Sequence, residues 1–283
     1  MKKLLLILAW LWACPAFAVC PYGLTGVTCE FVAFAYNIVG LSDADPVTTW
    51  ADTSGLSHDA TAAVGEKPIY KTGILNGKAV VRYDGTMRMT TASFPRAQPT
   101  TVCLVGNATS VGGAGNYYTD DVVTGNLNMT NTDSGGLNNF GVGTLALFIN
   151  DVIPSFDYAI MCGIWDGTNS LLSYNGTVIA GVLDSGDPTD AGITLGNYAN
   201  AGTDFTYALI GDEFGIVAAD GHLTDPQRQW LEGGLACDAG LQSLLPIGHP
   251  YKTVCPSAPL PPVPSAPSPA SLVRNLRPGG RGL

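Results

Sequence analysis

Tyr158–Ala180 reads YAIMCGIWDGTNSLLSYNGTVIA. Its first eight residues form a short apolar run closed by Asp166-Gly167, the pattern of a strand bounded by turn residues. Ser170–Tyr174 and Thr177–Ala180 then flank Asn175-Gly176. Asn-Gly between two apolar runs is the strongest short-range hairpin signal, because both central positions of the favoured two-residue turn need positive φ. The stretch therefore predicts neighbouring antiparallel strands.

The same grammar extends in both directions. Phe31–Gly40 (FVAFAYNIVG) is β-prone, and Lys78–Asp84 (KAVVRYD) alternates like a half-buried strand before stopping at Gly85. Thr100–Val105, Leu145–Ile149, Ile193–Tyr198 and Thr206–Val217 are further strands. Between Ala108 and Gly143 the chain is rich in Gly, Asn and Thr, which predicts long loops around Tyr117–Thr124. One helix is expected. Thr224 or Asp225 caps it, Pro226 sits in its first turn, Trp230, Leu231, Gly234, Leu235 and Cys237 recur at helical spacing, and it stops near Gly240. Many short strands with one late helix argue an all-β, two-sheet antiparallel sandwich with one short C-terminal helix. No strand–helix alternation or fixed-period repeat supports another class.

Composition agrees. The 283 residues include 35 Gly and 19 Pro, and only 13% are charged, about half the usual share. The low charge excludes a coiled coil or a charged disordered chain. The net charge is −10, but Lys2, Lys3, Arg274, Arg277 and Arg281 lie at the termini, so the body sets 8 basic residues against all 23 acids. Such a body repels nucleic-acid phosphates and anionic lipid, and nucleic-acid binding is not expected. The acids are 19 Asp and 4 Glu, a bias toward turns and caps that also offers hard oxygen ligands. A Ca²⁺ site is thus conceivable on composition, although no EF-hand loop is present and no cofactor is expected.

Residues 1–18, MKKLLLILAWLWACPAFA, have two lysines, an apolar run and a terminal Ala-Phe-Ala. That is the pattern of a secretory signal peptide cleaved after Ala18, and the run is too short for a stable membrane span. A lipoprotein box ending at Cys14 is the rival reading, poorly served by Trp12. The expected location is extracellular, periplasmic or cell-surface. Cleavage leaves six cysteines: Cys20, Cys29, Cys103, Cys162, Cys237 and Cys255. Six cysteines allow 15 connectivities, and proximity favours Cys20–Cys29, Cys103–Cys162 and Cys237–Cys255. The absence of any C-x-x-C leaves zinc or thioredoxin readings unsupported. The expected domain is 19–255. Residues 256–283 form a Pro-rich linker and a short basic, disordered tail.

Thr49–Ala62, TWADTSGLSHDATA, resembles the W-x-D-x-S-G-x-x-x-D-A-T stretch of concanavalin A-like, laminin-G-like jelly-roll domains of secreted bacterial and phage proteins. Pro68-Ile69-Tyr70, Leu75-Asn76-Gly77-Lys78 and Val81–Gly85 continue the pattern, as do Asp166-Gly167 with Tyr174–Gly176, Gly211–Val217, Thr224–Gly240, Leu245-Pro246 and His249–Tyr251. The resemblance implies a jelly-roll sandwich serving as a carbohydrate-binding, adhesive or structural module, with some glycoside hydrolases in the wider fold.

Laminarinase-type members carry paired glutamates two or four residues apart on one strand, where alternation aims both at the glycosidic bond. Glu30, Glu66, Glu213 and Glu232 never pair that way, and adjacent Asp212 and Glu213 point to opposite faces. No G-x-S-x-G motif occurs, His58 lies among turn residues, and His249 sits in the closing segment. The sequence therefore predicts no catalytic residues and a non-enzymatic glycan-binding or adhesion module. The other readings are a structural module of a surface or virion assembly and a divergent polysaccharide hydrolase. The expected binding residues are aromatic and oxygen-rich: Tyr117, Tyr118, Asp120 and Asp121 in one cluster, and Tyr198, Asn200 and Asp204 in another. Trp50, Trp165 and Trp230 are expected in the core.

Overall fold

The computed structural model describes residues 19–109, 115–120, 128–133, 138–142, 147–149, 157–180, 192–197 and 208–257. Residues 1–18, residues 258–283, and Asp121, Tyr198, Asn200 and Asp204 lie outside them. In chain order the strands are β1 (Cys29–Phe34), β2 (Thr49–Trp50), β3 (Ala60–Thr61), β4 (Ile69–Leu75), β5 (Lys78–Asp84), β6 (Met89–Thr90), β7 (Thr100–Ala108) and β8 (Gly115–Asp120). They continue with β9 (Asn128–Asp133), β10 (Asn138–Val142), β11 (Leu147–Ile149), β12 (Ala159–Trp165), β13 (Leu171–Tyr174), β14 (Thr177–Ala180), β15 (Ile193–Leu195) and β16 (Ile210–Asp220). Helix α1 (Asp225–Ala239) follows.

Two antiparallel sheets result. The main sheet runs β14-β13-β12-β7-β16-β5-β4, with β1 also paired to β16. The second runs β11-β10-β9-β8-β15-β6-β3-β2. Strand β16 is long enough to be shared along one edge: Ile210–Glu213 face β5, and Gly215–Ala219 face β1. The predicted hairpin forms as read, with Tyr174 opposite Thr177 and positive φ at Asn175 (48°) and Gly176 (77°).

The alternation of each central strand divides the core. Val102 and Leu104 of β7, Val81 and Tyr83 of β5, and Met161 of β12 turn inward toward the second sheet, together with Trp50 and Trp165. Cys103, Val105, Val80, Ile160 and Cys162 turn outward and meet Trp230, Leu231 and Leu235 of α1. The helix therefore forms a third layer. Strands β7 and β12 are buried along their whole length, which is why they read as unbroken apolar runs rather than alternating ones. The three tryptophans expected in the core, Trp50, Trp165 and Trp230, are all buried.

Three disulfides form, Cys20–Cys29, Cys103–Cys162 and Cys237–Cys255. The second joins residues directly opposite each other on β7 and β12. Helix α1 is opened by the Thr224 N–H donating to Gln227 Oε1 (2.9 Å) and closed by Gly240 at φ 70°. Its buried Arg228 donates to Glu232 (2.7 Å) and to Ser173 of β13 (3.3 Å), while His249 Nε2 reaches Glu232 Oε2 (3.2 Å). That network pins the closing segment and gives His249 a structural place.

The expected loops of 108–143 are a correction. Strands β8, β9 and β10 pass through this region. Gly, Asn and Thr dominate its sequence, so local propensity understated the strands, and pairing across the second sheet overrides it.

Candidate functional site

One end of the main sheet gathers a cluster of charged and polar side chains. Thr100, which starts β7, lies opposite Trp165 at the end of β12 and Asp220 at the end of β16, while Cys29 at the start of β1 lies opposite Ala219. The register of β1 slips between Cys29 and Phe31, so Glu30 is the extra residue of a bulge. A bulge re-aims its side chain away from the ladder. Glu30 Oε2 accepts from Arg96 Nε at 3.0 Å.

The Arg96 side chain is wholly buried. Its remaining nitrogens donate to Thr100 Oγ1 (2.9 Å) and to the Tyr118 hydroxyl. Burial alone would depress the Arg96 pKa. Tyr118 and Glu30 outweigh that penalty and hold it above the ordinary arginine value. Burying a guanidinium carries a desolvation cost, which the hydrogen bonds to Glu30, Tyr118 and Thr100 offset.

His58 caps this cluster. Asp52 arranges the loop that delivers it, accepting from the backbone N–H of Val32 (2.9 Å), Ser54 (2.8 Å) and His58 (3.0 Å) and from Ser54 Oγ (2.7 Å). The imidazole stacks on Phe94, with centroids 3.8 Å apart and planes 7° from parallel. Its Nδ1 lies 2.7 Å from the Glu30 carbonyl oxygen. A carbonyl only accepts, so Nδ1 carries the proton and Nε2 of the neutral ring is left as an acceptor.

A second histidine is prepared in the same way. His222 Nδ1 lies 2.8 Å from Asp166 Oδ2, with both side chains about one-third exposed, at 33% and 31%. The turn holding Asp166 is fixed by its backbone N–H donating to Ser170 Oγ (2.9 Å) and by the Gly167 N–H donating to Gln98 Oε1 (3.0 Å). Gln98 follows Arg96 by two residues and thus ties the two halves of the site. Nε2 of His58 and Nε2 of His222 take no hydrogen bond among the described residues. In each ring the Nδ1 contact fixes the imidazole's orientation and tautomer.

Of the expected binding residues, Tyr117, Tyr118 and Asp120 lie within the described residues. Tyr117 and Tyr118 lie on β8, not in a loop, and are only 2% and 0% exposed. The register of β8 against β9 slips between Asn116 and Tyr118, which lets two successive tyrosines both turn inward. Neither offers a face to a sugar, and Tyr118 serves instead as a partner of Arg96. Asp120 ends β8 opposite Ile193, and Asp121, Tyr198, Asn200 and Asp204 lie outside the described residues. Among the described residues no three His, Cys, Asp or Glu side chains come together to hold a metal ion. Sequence reasoning missed Arg96, Glu30, and the pairing of Asp166 with His222. The available signal was scarcity: the body has few arginines and four glutamates, and one of each meets here.

No protein-family model and no curated protein sequence matches the chain. Solved structures do resemble it. A GH54 α-L-arabinofuranosidase aligns with TM-score 0.52 and 11% identity over 73% of this chain and 62% of the other. Domain 4 of AbnA, a GH43 extracellular arabinanase from Geobacillus stearothermophilus, gives 0.49 and 12% over 66% and 97%. Trypanosoma rangeli sialidase gives 0.48 and 14% over 75% of this chain but 33% of its own. At 11% identity the likeness to the arabinofuranosidase, with its TM-score of 0.52, establishes a shared fold and nothing finer. It also overturns the expectation that the chain is not an enzyme. That expectation rested on missing motifs, whereas of the three neighbours the one with the highest TM-score is a glycoside hydrolase.

Proposed function

We propose that the chain is an exported glycan-processing β-sandwich that meets its substrate at the charged end of the main sheet. The observation carrying this reading is the pair of partly exposed histidines, His58 against the Glu30 bulge and His222 against Asp166, whose Nδ1 atoms are occupied and whose Nε2 atoms take no hydrogen bond among the described residues. The fold shared with an arabinofuranosidase supports glycan as the substrate class. The three disulfides support an oxidising, extracytoplasmic setting. Among the described residues no helix is long and apolar enough to cross a membrane. In this reading residues 1–18 are the removed leader, 19–255 the working domain of concanavalin A-like type, and 256–283 a tail.

The test is release of reducing ends by the mature chain from a panel of arabinan, xylan, mixed-linkage β-glucan and a sialylated glycan. Release from at least one of them is expected. No release from any of them, with wild-type protein shown to be folded, would overturn the proposal.

A further inference from the structure

A second surface lies four residues farther along β1 from Glu30, roughly 13 Å away at 3.3 Å per strand residue. Phe34, at the end of β1, is buried and stacks on Tyr36 with centroids 5.1 Å apart and planes 22° from parallel. Phe214 supports the same tyrosine from 5.6 Å. Tyr36 is nevertheless 40% exposed, so it is a rigid aromatic plate set into the surface rather than a core residue. Lys78 Nζ stands 5.6 Å from its ring centroid.

Asp238 completes the arrangement. Its Oδ2 accepts from both the Tyr22 and the Tyr36 hydroxyls, each at 2.9 Å. Burial, then Asp238, pushes both phenol pKa values up, so the two hydroxyls remain donors. Oδ1 of Asp238 takes no hydrogen bond among the described residues, and Lys78 makes no ion pair there. Asp238 also sits in the last turn of α1, where the helix dipole disfavours an anion and no basic residue of that turn offsets it. An acid kept at the unfavourable end of a helix, with one oxygen tied to two tyrosines and the other open, calls for a partner.

We infer that Tyr36, Asp238 and Lys78 form a glycan-stacking subsite separate from the charged end. The plate takes the apolar C–H face of a neutral sugar ring, Asp238 Oδ1 accepts from a ring hydroxyl, and Lys78 donates to another. Stacking on a fixed aromatic costs little ordering entropy, because Phe34 and Phe214 already hold the ring. The subsite rests on the glycan reading for its ligand class, but it serves to hold polymer and not to cleave it.

Affinity electrophoresis of the full mature chain through gels containing arabinan, xylan or β-glucan tests this. Wild type is expected to be retarded by at least one polymer. Tyr36→Ala should weaken retardation at least tenfold, Asp238→Asn should weaken it less, and Tyr36→Phe should stay within about twofold of wild type, because it keeps the plate. Thermal melts of each variant separate lost binding from lost fold. Reducing-end release is measured beside retardation, so the two failures are distinguishable: retardation without release overturns only the cleavage reading, and unaltered retardation of a folded Tyr36→Ala overturns only this one. Unaltered retardation of a folded Tyr36→Ala, or no retardation of wild type by any polymer, overturns the inference.

Discussion

Glu213 shows how far a single residue can depart from what its strand suggests. It turns inward from β16 and is fully buried. Oε2 accepts from the Tyr83 hydroxyl (3.2 Å), and Oε1 has no partner among the described residues. Burial pushes its pKa well above the ordinary carboxyl value, against a smaller lowering by Tyr83. The folded protein therefore keeps a proton that the unfolded chain releases above roughly pH 4.3. Stability is unaffected below that pH and falls as pH rises toward the folded pKa, by up to about 1.4 kcal/mol per pH unit. Glu213→Gln should remove this slope, and denaturant unfolding between pH 4 and 9 reads it directly. Asp52 makes the opposite case. Asp52→Ala leaves three backbone N–H groups and one hydroxyl without their shared acceptor, and should cost roughly 3 kcal/mol in the same assay. The D-x-S stretch that first drew attention to this loop was legible in the sequence. What it holds in place, His58 against Phe94 and Glu30, was not, because those contacts join residues 28 to 36 positions apart.

Elements with strong local chemistry were readable. The Asn175-Gly176 hairpin and the capped helix α1 formed where turn and cap residues demanded them. Strands β8 to β10 were not, since their side-chain composition is that of loops and only their neighbours make them strands. Helix α1 carries a further consequence of close packing. Cβ atoms added at Gly233 and Gly234 would lie 2.4 Å from Tyr251 Cβ and 2.3 Å from Tyr22 Cδ2. Alanine is the better helix former by about 1 kcal/mol. Gly234→Ala should nonetheless destabilise the protein, by about 1–3 kcal/mol, because a packed neighbour must move. A thermal melt that rises instead would show that α1 is docked more loosely than described.

At the scale of the whole molecule, sheet, sheet and helix are clamped together, and the Cys103–Cys162 link closes a separation of 59 residues. Replacing both cysteines by alanine should lower stability by about 4 kcal/mol on the loop-entropy account, measured by urea unfolding. The same layering places the starts of β1 and β7 and the ends of β12 and β16 at one rim, and so brings Glu30, His58, Arg96, Asp166 and His222 to one end of a chain in which they span nearly 200 positions. The all-β sandwich could be read from strand and turn signals. Its polar rim could not, because it belongs to the topology and to no segment. The most direct test of that rim compares glycan-cleavage rates of wild type, His58→Ala and His222→Ala on a polymer that wild type cleaves. The rim account predicts that at least one substitution lowers the rate about 100-fold or more while the fold is kept. Wild-type rates in both folded variants would contradict it.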